Sequence, residues 1–270
     1  MLSLQQLHQY GQRIDYPLTS MALSVSLLND LIWQHVSHIP FEGLAPHLGE
    51  AMDITNLSAI FEKLIVKRRG GWCYEMNALF FHVLEALGFD VGYGNIGLTQ
   101  ALALTATEQS GQMRNGMDWQ LMKAAQSYCY RAGFGGHIED QYRFVRTHSS
   151  LTLADLVPFQ QHMMTSPTSP FVKHRIVKIA TETGFKKLLD DTYTEYAIQE
   201  GTLQPIKRLQ MTSVEDYSIC LTQHFNQSSS PLKWLPPVDG AHIGYSSVNG
   251  RAELAQPSLM PPMSNTFEMI

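Results

Sequence analysis

The stretch Arg68-Arg69-Gly70-Gly71-Trp72-Cys73-Tyr74-Glu75-Met76-Asn77 decides how the rest of the chain is read. Two glycines end one helical pattern and apolar periodicity resumes at once, which puts Cys73 at the start of a new helix. That helix is predicted from Cys73 to Leu87, with Gly88 as its stop. The first turn of a helix exposes unpaired N–H groups and the positive end of the dipole, and both favour a thiolate over a thiol. Arg68 and Arg69 are expected to add to that. A thiolate attacks acyl carbon, so this is where a nucleophilic cysteine would be placed. An arbitrary free cysteine is more often a small buried hydrophobe. Cys129, within Tyr128-Cys129-Tyr130, and Cys220, inside a helical stretch, keep that plainer reading.

Upstream, Asn56 can cap a helix with Leu57, Ile60, Phe61, Leu64 and Ile65 on one face, ended by Gly70-Gly71 after a cationic last turn. Thr19 or Ser20 can cap an earlier one carrying Met21, Leu23, Leu27, Leu28, Leu31 and Ile32, which Ile39-Pro40 terminates. Downstream the period changes. Tyr128 to Phe134 and Gln141 to Val145 alternate like antiparallel strands, and Tyr193 to Leu209 reads as a strand pair turning near Glu200-Gly201. A helix follows over 213–225, opened by a capping box from Thr212 to Glu215. From Gln227 onward Ser, Pro, Gly and Asn dominate, and that tail is expected to be poorly ordered.

The bulk numbers narrow the class. The chain has 270 residues, 44% hydrophobic and 16% charged, which suits one large domain or two to three small ones. A formal net charge of −5 gives no basic footprint for nucleic acid. No window approaches the roughly 18 apolar residues of a membrane span. MLSLQQLHQY has neither the basic region nor the apolar run of a signal peptide, and three cysteines do not make a disulfide framework. A reduced, cytoplasmic protein without membrane or nucleic-acid partners is expected.

The segment RRGGWCYEMNALF resembles the active-cysteine motif of the arylamine N-acetyltransferases. Ile39-Pro40-Phe41-Glu42-Gly43-Leu44 is similar to that family's IPFENL, with Gly43 in place of Asn. Thr165-Ser166-Pro167-Thr168-Ser169-Pro170-Phe171 resembles its TSPxSxF segment, and Gln141-Tyr142-Arg143-Phe144 its YRF strand. The similarity covers roughly residues 4–225. It implies an α+β fold on a papain-like, cysteine-protease-like core: a helical domain over 1–87, a truncated antiparallel β-barrel over 88–190, a small α/β lid over 191–226 and a tail over 227–270. It further implies ping-pong transfer of an acetyl group from acetyl-CoA, through an acetyl-cysteine on Cys73, to a small arylamine or arylhydrazine, the chemistry of xenobiotic metabolism, with no metal. CoA contacts by resemblance fall on Gly94, Thr168 and Ser169. From the residues alone, TSPTSPF is a polar turn able to hold a phosphate or an amide.

The resemblance has one break. The family places a histidine, in a context like RTHxxLxV, between the cysteine helix and a strand reading VDVGFGG. Here Leu87-Gly88-Phe89 runs straight into Asp90-Val91-Gly92-Tyr93-Gly94, and no histidine lies between His82 and His137. Asp90 matches the family's catalytic aspartate by motif. A helix over 73–87 is about 21 Å long at roughly 1.5 Å per residue, so Asp90 would stand beyond the end opposite Cys73. Arg146-Thr147-His148 imitates the missing histidine motif, and Ala132-Gly133-Phe134-Gly135-Gly136 imitates the aspartate strand, each in the wrong place along the chain. His82 reads as a helix-face residue, and His162 and His174, flanking TSPTSPF, as surface residues. Impaired acetyl transfer is therefore expected. A non-catalytic remnant of the family, or a related cysteine-dependent amide synthase or hydrolase, are the alternatives.

Overall fold

The computed structural model describes residues 2–18, 22–91, 109–112, 114–124, 127–145 and 152–228. Gly94, His148 and the chain beyond 228, each named above, lie outside the described residues.

The described residues up to Leu87 are mostly helical. Helix α1 (Leu4–Arg13) opens with a Ser3–Gln6 capping box. Helix α2 (Val25–His38) ends at Ile39-Pro40 as expected, but Ser24 caps it, its hydroxyl accepting from Leu27 N at 3.1 Å. After the short α3 (Ala45–Leu48), Asn56 does cap α4 (Leu57–Phe61), which widens into a π-helical turn over Glu62–Val66. Helix α5 runs unbroken from Cys73 to Leu87 and stops at Gly88, whose φ of 96° is the left-handed cap that glycine adopts without strain. Leu7, Tyr10, Leu31, Ile32, Leu64, Leu79 and Val83 close the core between these helices.

Two antiparallel sheets complete the α+β fold. The larger has the order β1 (Phe41–Glu42), β6 (Ile176–Thr181), β7 (Gly184–Leu189), β8 (Thr192–Gln199), β9 (Thr202–Gln210). The smaller runs β2 (Gln109–Gln112), β3 (Asp118–Ala124), β4 (Ser127–Phe134), β5 (His137–Val145). The expected turn at Glu200-Gly201 is present, and a second one falls at Gly135-Gly136; both pairs take positive φ, as a two-residue hairpin requires. The imitation motif Ala132 to Gly136 is thus the end of β4 and the hairpin turn after it. Between the sheets in sequence come α6 (Leu153–Thr165) and the short α7 (Pro170–Lys173). Helix α8 (Val214–Phe225) is capped by Ser213, one residue after the expected Thr212, while Thr212 donates to Asp216.

Three expectations change. Among the described residues the sheets are open, and no closed barrel forms. The boundary expected at 190/191 falls in the turn joining β7 to β8, which pair along their length, so the strand pair assigned to a lid continues the larger sheet. The tail expected from Gln227 begins with two anchored residues. Gln227 is buried and donates to Glu42 at 2.8 Å, and Ser228 N donates to Arg68 O at 3.1 Å.

Candidate active site

Cys73 is the first residue of α5, delivered there by an extended Trp72 and a tight glycine pair. A Cβ on Gly70 would lie 2.5 Å from Pro40 O, so only glycine lets the loop pass this close to β1. The Trp72 ring is buried and lies 4.8 Å, centroid to centroid, from Phe171 of α7, which in turn touches Phe41 at 5.6 Å. Ile176, Met163, Met164 and Leu189 fill out this cluster. The cysteine motif, the IPFEGL strand and the TSPTSPF segment, separate in sequence, therefore pack into one group. Gly43 lies against it: a Cβ there would meet Phe171 Cδ1 at 3.2 Å and Trp72 Nε1 at 3.6 Å. That indole N–H is buried without an acceptor among the described residues.

The electrostatics of Cys73 run opposite to the sequence expectation. The residue keeps intermediate exposure, but enough protein surrounds the sulfur for desolvation to dominate, and burial pushes the thiol up to about 11. The backbone N–H groups of Tyr74 and Cys73 pull the other way, as the helix terminus should, and the Glu75 carboxylate adds to the rise. The two arginines do not help. Arg69 is spent on the buried Glu42 and on Glu50, at 2.8 Å from the latter, and Arg68 donates to Asn226. Glu75 went unremarked in the sequence reading, although a Glu three residues after a cap position was its signal. Its Oε2 accepts from Trp72 N at 2.9 Å, and both its oxygens accept from Lys63 Nζ.

The remaining candidates are placed as follows. Asp90 is exposed beyond the C-terminal end of α5, and the unbroken helix, about 21 Å long, lies between it and Cys73, so the structure does not bring the two together. Thr168 is exposed and its hydroxyl bonds with that of Ser166 at 2.9 Å. Ser169 is buried and caps α7, accepting from Phe171 N at 3.3 Å. His82 bonds with Glu85 on α5, His162 is exposed on α6, and His174 is bonded to Asp190 at 2.9 Å. Among the described residues no hydrogen bond joins a histidine to Cys73.

The N-acetyltransferase family model matches residues 24–91 and 89–229, two stretches that meet at Phe89-Asp90-Val91. The chain is 40% identical over 81 residues to arylamine N-acetyltransferase 2 of Mus musculus, an alignment covering 30% of this chain and 28% of that protein. The chain spans less than half the length of the curated relatives it matches. Its fold superposes on the arylamine N-acetyltransferase of M. smegmatis with a TM-score of 0.71 at 22% identity, covering 87% of this chain and 96% of that one. The Mycobacterium marinum enzyme, whose structure is described as a complex with CoA, superposes with a TM-score of 0.67 at 21% identity, covering 82% and 92%.

Proposed function

The chain belongs to the arylamine N-acetyltransferase family, and from that premise we propose that Cys73 is its acetyl-accepting residue and that, as this chain stands, transfer is severely impaired. In the complete reaction the cysteine sulfur attacks the thioester carbonyl of acetyl-CoA, and CoA leaves as its thiol. The arylamine nitrogen then attacks the acetyl-cysteine, regenerating the cysteine. On a papain-like core the base would be a histidine oriented by an aspartate. The carrying observation is the state of Cys73: a thiol held protonated up to about 11, with no histidine bonded to it among the described residues and Asp90 beyond the far end of α5. The CoA described in the M. marinum complex supports acetyl-CoA as the donor. Thr168, exposed beside the Trp72–Phe171 cluster, is a candidate contact, as is Gly94; Ser169 would act through the position of α7. No metal enters this scheme.

A positioned general base is worth about 10²–10⁴-fold, so turnover of an aminobenzoate is expected to be slower than in a complete family member by about that factor. The test is CoA release with an arylamine acceptor, comparing this chain with its Cys73→Ala and His148→Ala variants and with a chain given a histidine-bearing family insert after Phe89. The expected result is a near-background rate that the insert raises. Robust turnover by the unmodified chain, abolished in Cys73→Ala alone, would overturn the impairment. Loss in His148→Ala as well would assign the base to His148.

A further inference from the structure

The larger sheet carries a line of positive charge that neither the acetyl-transfer scheme nor the core uses. Register places Lys178 of β6 opposite Lys187 of β7, Lys187 opposite Thr194 of β8, and Thr194 opposite Arg208 of β9. Directly opposed residues on antiparallel strands share a face, so these four form one cross-strand row. Their neighbours Val177, Ile179, Leu188 and Tyr193 fill the opposite face and the core beneath α8, so the row points away from that core. Two residues along the strands on the row's own side, Ile176 and Leu189 pack into the Trp72–Phe171 cluster. Two residues the other way, Phe185 and Tyr196 stack at 4.8 Å, and Phe134 of the smaller sheet meets Phe185 at 6.1 Å. The cations therefore lie between the candidate active site and the aromatic end of the face.

Like charges directly opposed across strands repel, and folds normally separate them or supply a carboxylate. Among the described residues no ion pair or hydrogen bond to a carboxylate involves Lys178, Lys187 or Arg208. Lys178 Nζ instead stands 4.2 Å over the Phe185 ring and Lys187 Nζ 5.6 Å over Tyr196. A cation on an aromatic face keeps its charge and gives up water, so an arriving anion has less solvent to displace. The lysines register the crowding. Burial, then Lys187, draws Lys178 down to about 8; burial, then Arg208, lowers Lys187. Two ammonium groups one strand spacing of about 4.8 Å apart, and a guanidinium two strands further on, suit a ligand with several anionic oxygens in line, and Thr194 between Lys187 and Arg208 can add a hydroxyl donor.

We infer that Lys178, Lys187 and Arg208 bind the diphosphate group of a phosphate-bearing ligand beside the Trp72–Phe171 cluster. CoA carries such a group, as do nucleoside diphosphates and inorganic pyrophosphate. The site itself does not require that Cys73 turn over.

The test measures binding of inorganic pyrophosphate, ADP and CoA to the full chain by calorimetry at low salt, with Cys73→Ala as a parallel protein. Lys187→Gln and Arg208→Gln are the probing variants, and Arg208 is exposed, so its loss spares the core. Pyrophosphate is expected to bind, to weaken steeply with salt, and to lose at least about tenfold in affinity in either variant. Amine acetylation by acetic anhydride, mapped by mass spectrometry, should be slowed at Lys178 by pyrophosphate. If CoA competes with pyrophosphate, the row serves the acyl donor; if ADP and pyrophosphate bind and CoA does not, it serves a separate ligand. Absence of pyrophosphate binding, or equal affinity in both variants, would overturn the inference. Because Cys73→Ala should bind pyrophosphate as the unmodified chain does, failure of the acetyl-transfer reading leaves this result unaffected.

Discussion

Cys73 is expected to be a slow nucleophile, and the size of the effect follows from its surroundings. With the thiol pushed up to about 11, the thiolate fraction at pH 7 is about 10⁻⁴, against about 10⁻² for the ordinary value of 9.0. That hundredfold deficit is partly recovered, because a more basic thiolate is more nucleophilic with a Brønsted slope of about 0.4–0.5, or roughly tenfold here. Iodoacetamide at pH 7 should therefore label Cys73 about tenfold more slowly than the same thiol in the urea-unfolded chain, before any shielding by Trp72. The rate should climb close to tenfold per pH unit up to about pH 10, without levelling near 8 or 9. Glu75→Gln removes the lesser contribution and leaves the burial in place. The amide oxygen still accepts from Trp72 N, the carboxylate charge that raises the thiol is gone, and Lys63 loses its counter-ion within reach of the helix start. Labelling at pH 7 should then rise severalfold. A native rate equal to the unfolded one, or a pH profile that flattens near 8, would refute the claim that desolvation outweighs the helix terminus.

His35, fully buried against Tyr10 and Phe80, is drawn down to about 3 by burial and then by Arg13, so the native state stays neutral there while the unfolded chain protonates below 6.5. Its contribution is complete above pH 6.5 and is lost as pH falls from 6.5 towards 3, by up to about 5 kcal/mol at roughly 1.4 kcal/mol per tenfold; urea unfolding of His35→Gln should lack this portion of the acid slope, and an unchanged slope refutes it. Gln227→Ala, removing the 2.8 Å bond to buried Glu42, should cost about 1–3 kcal/mol in the same assay, and a loss near zero would mean the tail anchor is decorative.

The fold was legible where local chemistry decides it. The apolar period and Gly88 set the extent of α5 to the residue, and Glu200-Gly201 announced a hairpin that exists. Caps fell later than expected: Ser213 caps α8 in place of the adjacent, equally competent Thr212, and Ser24 caps α2, which begins several residues after Thr19 and Ser20. What escaped was long-range. Nothing between Ile176 and Leu189 separates a strand of a barrel from one of an open sheet, because that difference lies in which strand pairs with which.

The site shows the same division more sharply. That a cysteine begins a helix is a local fact, and the sequence carried it. Whether the cysteine ionises depends on a balance of burial against dipole, and on where nearby charges are spent, neither of which spacing encodes. Arg68 and Arg69 sit four to five residues before Cys73, yet one binds Asn226 across the chain and the other closes on Glu42 and Glu50. Their charge goes to holding the C-terminal end of α8 and strand β1 against the glycine loop, so the residues that bring Cys73 into place cannot also lower its thiol. In a triad that task falls to a histidine, which is why the family match dividing at Phe89-Asp90-Val91 bears on chemistry far more than on fold. Helix α5 and the Trp72–Phe171 cluster form on either side of that division, and among the described residues no histidine is bonded to the thiol they present.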